Sequence, residues 1–272
     1  MRRNWNMNIF SKMGNNNIQK EMKPEINIEN NKIFDIIIPL GPNDMNVINQ
    51  QLEFTRKNII GYRNIYIITS QIELQLHGCT IIPENIFPFT IETIGEYNIK
   101  TDRRGWYLQQ LLKLYAGFII PEILDRYLLL DADTYVLKPT TFYKDGKCLY
   151  NYGIEFHGPY FIHMQKLYPG LKRMDRNKSG ICHHMMMETK YIKELFNIVE
   201  NIHNESFYKI FLQNVDINSD SGASEYEIYF NYMYWKHPNE IMLRKLNWAN
   251  VTKLIVDYKY KYDYISYHWH GR

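Results

Sequence analysis

Apolar positions along the chain gather in short runs with abrupt polar ends. Phe34, Ile36, Ile37, Ile38 and Leu40 make the first run, which stops at Gly41-Pro42-Asn43-Asp44. A run this short, closed by Gly and Pro, predicts a buried strand with a loop beyond it. Residues 46–57 fit a helix with Gly61 as its stop, and 64–69, carrying Ile65, Tyr66, Ile67 and Ile68, form a second buried strand. Strand, helix and strand at this spacing make a βαβ unit, which implies a parallel sheet covered on both faces. Thr80-Ile81-Ile82-Pro83 is a third short strand. Asp102 is placed to cap a helix over 103–116, ended by Gly117, in which Tyr107, Leu108, Leu111, Leu112 and Tyr115 share one apolar face. Tyr127-Leu128-Leu129-Leu130 is the next buried strand and runs directly into Asp131-Ala132-Asp133-Thr134.

The second half is less regular. Residues 191–201 read as a helix, and Ser224 caps another that starts at Glu225 and reaches about Tyr234. The chain closes on Tyr267-His268-Trp269-His270-Gly271-Arg272. No internal repeat or low-complexity linker divides it, so the expectation is one α/β domain over 32–272, a mostly parallel central sheet flanked by helices. Residues 1–31, rich in Asn, Lys and Met with little periodicity, are expected to be mobile or poorly packed.

Composition narrows the function. With 272 residues, 45% of them apolar or aromatic, the chain is long enough to bury a substantial core. The net charge of +3 is spread out, with no basic run or aromatic–basic interleaving, which excludes a nucleic-acid platform. Cys79, Cys148 and Cys182 are an odd, widely spaced set, which argues against a disulfide framework or structural zinc and for a reducing compartment. No apolar run reaches the roughly 18 residues of a membrane span, and no signal-peptide core opens the chain. A soluble, cytoplasmic protein is expected.

The strongest chemical signal is the aspartate pair. Ligands of open α/β sheets bind beyond the carboxyl ends of strands. Asp131 and Asp133 stand at such an end, where two carboxylates suit a hard divalent cation. A cation there would bridge the two phosphates of a nucleoside diphosphate and stabilise the charge that develops as it leaves.

Residues 105–139 resemble A-type glycosyltransferases, including glycogenin-like ones and a related uncharacterised family. The resemblance rests on Gly105-Trp106, Gln109-Gln110, Leu112-Lys113-Leu114, Pro121, Leu128-Leu129-Leu130-Asp131-Ala132-Asp133-Thr134 and Leu137-Lys138-Pro139, with weaker similarity from Asp35 onward. It implies a single GT-A, Rossmann-like domain and a nucleotide-sugar donor. Asp133 is then a metal ligand, and Asp131 a ligand of the metal or the ribose. Gln110 and Lys113 sit near the donor's sugar or phosphates, and the loop ending at Asp44 lies under its base and ribose. It also implies a third metal ligand from a C-terminal histidine, for which His268 is chosen over His270. Imidazole beside carboxylates favours Mn²⁺ over Mg²⁺. The stretch Gly180-Ile181-Cys182-His183-His184 matches a strand that lines the sugar pocket in related transferases, so His184 is assigned to donor or acceptor.

Glu225 and Glu227 are the base candidates, since an inverting transfer needs a carboxylate to take the acceptor's proton. Ser224 with Glu227 also fits a capping box, which would occupy Glu227 and leave Glu225 as the base. The expected function is metal-dependent transfer of a sugar to an acceptor hydroxyl on a glycan, a protein or a small molecule, in glycan biosynthesis. Two rivals remain. One is a haloacid-dehalogenase-like phosphatase with Asp131 as nucleophile, although the motif lies mid-chain and Tyr135 stands where that signature has Thr or Val. The other is a non-catalytic nucleotide-sugar or carbohydrate-binding module.

Overall fold

The four apolar runs marked by the sequence lie side by side. The computed structural model describes residues 33–255 and 257–272, so the segment 1–31 lies outside the described residues. Strands Arg126–Leu130, Phe34–Pro39, Tyr62–Thr69 and Thr80–Pro83 are neighbours in that order, all parallel. His184–Glu188 joins Arg126–Leu130 antiparallel and closes that edge. The central strands are the most apolar because both of their faces are covered: Ile36, Ile37, Leu128, Leu129 and Leu130 are fully buried. Thr80–Pro83 is the opposite edge, where a proline without an N–H costs no ladder bond. The architecture is mixed α/β, a mostly parallel sheet flanked by helices, as expected.

The helix Thr101–Ile119 packs on the Phe34–Pro39 strand and against the helices Thr189–His203 and Glu225–Lys236. It is longer than its sequence punctuation predicts. Lys100 is the N-cap, without a side-chain cap bond, and Asp102 lies inside the first turn. Gly117 does not end this helix. A Cβ there would lie 2.9 Å from the Tyr127 ring, so the glycine allows a close approach of helix to sheet. Gly61 likewise does not stop the preceding helix, Ile48–Asn58. It sits at φ 93° in the turn between strands Ile59–Ile60 and Tyr62–Thr69, a conformation open to glycine.

A second sheet of three strands fixes the C-terminal segment. Tyr264–Ser266 pairs antiparallel with Thr134–Val136 and parallel with Trp248–Asn250. The register puts Ser266 opposite Thr134, so the residues after Ser266 run alongside those before Thr134. This pairing brings His268, far away in sequence, back to the aspartate pair.

The core also carries a titrating load. His163 is buried against Phe211, with Nε2 bonded to the Phe211 carbonyl at 2.9 Å and Nδ1 unpartnered. Burial lowers its pKa to about 4. The unfolded chain takes up a proton near the ordinary histidine value of about 6.5 while the folded one does not, so stability is complete above that pH and lost as pH falls towards about 4. The limiting loss from this residue is roughly 1.4 kcal/mol per pH unit. His163→Gln can keep the bond to the Phe211 carbonyl without titrating. Urea unfolding between neutral and acid pH should therefore give a shallower loss for the variant, and parallel curves would refute the assignment.

Candidate functional site

The site forms where the Arg126–Leu130 strand ends. The Asp131 N–H donates to the His183 carbonyl at 3.1 Å, and Thr134 N–H returns to the Asp131 carbonyl at 3.0 Å, so the chain turns tightly across both aspartates.

Asp131 is gripped by three side chains. Lys113 Nζ donates to Oδ1 at 2.6 Å, Tyr226 OH donates to the same oxygen at 2.9 Å, and His183 Nδ1 approaches Oδ2 at 3.3 Å. The same ammonium donates to Glu225 Oε1 at 2.7 Å and lies 4.4 Å from the Tyr226 ring centroid. Lys113 is only 2% exposed and Glu225 4%, while the Asp131 side chain is 20% exposed, so this carboxylate–ammonium–carboxylate triad is buried at its centre and opens to solvent at Asp131. Burial opposes the lysine's charge, but Asp131 and Glu225 outweigh it and hold its pKa above the ordinary value. Burial likewise opposes ionisation of Asp131, and Lys113 with His183 overrides it, holding the carboxyl well below the usual range. For Glu225 the balance goes the other way: burial raises its pKa, Lys113 opposes the rise, and Asp131 adds to it. Burial, then the charge of Asp131, pushes the Tyr226 hydroxyl well up, which keeps it a donor.

Ser224 caps the Glu225–Lys236 helix, its hydroxyl accepting the Glu227 N–H at 3.3 Å. Gln110 sets the start of the same helix by accepting the Glu225 N–H at 3.1 Å. The Glu227 carboxylate does not close a capping box. It accepts from Ser179 Oγ at 2.6 Å and Asn231 Nδ2 at 2.8 Å, fully buried away from the triad. Of the two base candidates, the structure brings Glu225 to Asp131 and assigns Glu227 to helix packing.

Asp133 lies beside the C-terminal segment. Ser266 Oγ donates to Oδ1 at 3.1 Å, His268 Nδ1 meets Oδ2 at 2.8 Å, and Tyr267 N–H donates to the Asp133 carbonyl at 2.8 Å. Burial works against the charge of His268, but the bond to Asp133 raises its pKa overall. The His183 ring stands 5.0 Å from that of His268, so the two aspartates and two histidines form one group. Asp44 approaches from the first loop, ion-paired with Arg272, which also bonds the Asn43 carbonyl and Asn46. Burial raises the Asp44 pKa, Asp133 adds to the rise, and Arg272 opposes it.

His184, expected at donor or acceptor, is not brought to the aspartate pair by a side-chain bond. It is buried in the core between Phe142 and Tyr264, with ring centroids at 5.3 and 4.8 Å and both nitrogens unpartnered. Burial lowers its pKa to about 3, so it stays neutral. The neighbour faces the site: His183, at φ 57°, turns out of the strand immediately before it begins. Gln110 is also buried, and it positions Glu225. Tyr226, His183 and Ser266 were missed by sequence reasoning. Tyr226 was readable as the neighbour of Glu225, whereas Ser266 depends on a strand pairing between distant segments.

Among the described residues, no group of three or more His, Cys, Asp or Glu side chains is arranged as a ready-made metal cage. None of their helices is long and apolar enough to cross a membrane. The three cysteines are free.

Comparison with known proteins adds a family. The sequence profile of a family of unknown function (DUF6492) matches residues 62–261, most of the chain, and the protein belongs to that family. The match spans Lys113, Asp131, Asp133, His183 and Glu225. No curated protein matches the chain. Among solved structures, mouse xyloside xylosyltransferase 1 in its apo form is similar at 12% identity and a TM-score of 0.39, over 80% of this chain and 87% of that one.

Proposed function

We propose that the protein is a GT-A-type glycosyltransferase that moves a sugar from a nucleoside-diphosphate sugar to an acceptor hydroxyl, with Mn²⁺ or Mg²⁺ at the Asp133–His268 pair. The observation that carries this reading is the charge balance beyond the Arg126–Leu130 strand. Four carboxylates, Asp44, Asp131, Asp133 and Glu225, face two permanent cations, Lys113 and Arg272. The donor set suits a divalent ion: Asp133 offers oxygen and His268 offers nitrogen, in a group where carboxylates outnumber the permanent cations. Asp133 and His268 are the side chains that would hold the ion. When bound, it would neutralise the charge of the departing diphosphate.

The remaining roles fall to the chain itself. Lys113 fixes Asp131 and Glu225 in one arrangement, holds Asp131 ionised despite burial and opposes the rise that burial causes in the Glu225 pKa. Oδ2 of Asp131, with its single longer contact to His183, is the oxygen open to ribose or ion. Glu225 takes the proton of the attacking hydroxyl, and its raised pKa makes it a better base than an exposed carboxylate. The phosphatase reading asks Asp131 to attack as a free carboxylate, whereas Lys113 and Tyr226 both donate to its Oδ1 and pair its charge, which weakens it as a nucleophile.

The test is turnover. Incubation with uridine and guanosine diphosphate sugars and mixed glycan acceptors should release nucleoside diphosphate in Mn²⁺ or Mg²⁺ and not in EDTA. Absence of release with every donor would sink the proposal. With Glu225 as base, NMR of the product should show an inverted anomeric centre, and retention would remove Glu225 from that role.

A further inference from the structure

A cleft of about 290 Å³ opens beside the site and is lined by Tyr152, Glu155, Asn247, Trp248, Lys261 and Tyr262 among others. It is joined to the carboxylate group through one side chain. Trp248 packs edge-on against His183 at 4.9 Å, and His183 in turn contacts Asp131. One face of the indole is covered by Tyr264, stacked at 5.7 Å and 9°. Trp248 is thus held rigid from behind while it borders the cleft.

The polar side of the cleft is equally specific. Glu155 folds one carboxylate oxygen over Gly153, into the space a Cβ would take. Its Oε2 is buried with no hydrogen-bond partner. The residue as a whole is half-buried and lines the cleft, so the accessible part of its carboxylate, rather than Oε2, can accept from a ligand hydroxyl. Burial first, and then the charge of Glu155, pushes the Cys182 thiol well up, which agrees with an inward-facing carboxylate. Aromatic walls from Tyr152, Trp248 and Tyr262 with polar groups from Glu155, Asn247 and Lys261 fit a ring that is apolar on its face and hydroxylated at its edge.

We propose that this cleft is the acceptor subsite, and that the acceptor is a carbohydrate whose terminal ring lies against Trp248 with hydroxyls directed to Glu155. This rests on the transferase reading and adds the acceptor's chemical class to it. The path from Trp248 through His183 to Asp131 would place that ring next to the transferred sugar.

The test is saturation-transfer NMR of the full chain with methyl glycosides of glucose, galactose, mannose and xylose. Wild type should bind at least one of them. Trp248→Ala should lose the signal, and Glu155→Gln, which keeps the shape of the side chain, should weaken binding about tenfold. Thermal midpoints show whether each variant is folded. Absence of any glycoside signal in a protein that turns over a nucleotide sugar would overturn the subsite and spare the transferase. Equal signals in wild type and both variants would overturn it too. Glycoside binding lost in Trp248→Ala, in a protein that turns over no nucleotide sugar, would uphold carbohydrate binding at the cleft but overturn its role as an acceptor subsite, together with the transferase reading.

Discussion

Lys113→Met should destabilise the protein by about 3–5 kcal/mol, the usual cost of leaving buried charges uncompensated. The lysine is 2% exposed and is the ammonium shared by Asp131 and Glu225, at 2.6 and 2.7 Å. Methionine fills a similar volume, so little of the loss comes from packing. An exposed ion pair at the same distances would cost less than about 1 kcal/mol, so the magnitude itself reports the burial. The loss should also depend on pH. Without the lysine, the folded Glu225 pKa rises further above its unfolded value. Its stabilising contribution is then present at acid pH and is lost as pH rises through the folded pKa. Urea unfolding at pH 5 and pH 8 should therefore show the larger deficit at pH 8. Adding Glu225→Gln to Lys113→Met should recover part of the loss, and strictly additive effects would contradict the triad.

Asp133→Ala should cut turnover by roughly 10²–10³ or more, the scale on which lost electrostatic stabilisation of a transition state is felt. The fold should survive. The substitution removes one carboxylate from a group already rich in negative charge, and the cost is limited to the contacts with Ser266 and His268. Asp133→Asn is the informative companion, since it retains much of the shape and loses the charge that a cation needs. Steady-state kinetics across a Mn²⁺ titration should show both variants insensitive to metal. Full turnover in Asp133→Ala, in folded protein, would refute the assignment.

Much of this site was legible because buried parallel strands announce themselves. Leu128-Leu129-Leu130 before Asp131 is an apolar run that ends in charge, and the fold puts such ends at ligand sites. The Ser224 cap was legible for an equally local reason, a hydroxyl three residues ahead of a backbone donor. The triad was not. Lys113 and Glu225 lie 112 residues apart and meet only because two helices pack together. On an apolar helix, a lysine reads as solvated until its partners are known. Glu227 was misread as a capping-box acid because the pattern does not reveal Ser179 and Asn231 waiting in the core. The choice between His183 and His184 turned on a single left-handed residue before a strand, and apolar patterning does not mark that position. His268 was reachable by resemblance alone; its physical reason is the register of Ser266 opposite Thr134.

The most direct test of the central claim is a thermal-shift titration of the full chain with nucleoside diphosphates, in Mn²⁺, Mg²⁺ or EDTA. A ligand at about 100 times its dissociation constant adds roughly 2.7 kcal/mol of stability, a readily visible shift. The account predicts a shift with one or more nucleoside diphosphates that requires the metal, disappears in EDTA and is absent from Asp133→Ala. Folded wild-type protein that no nucleotide–metal combination stabilises would contradict it.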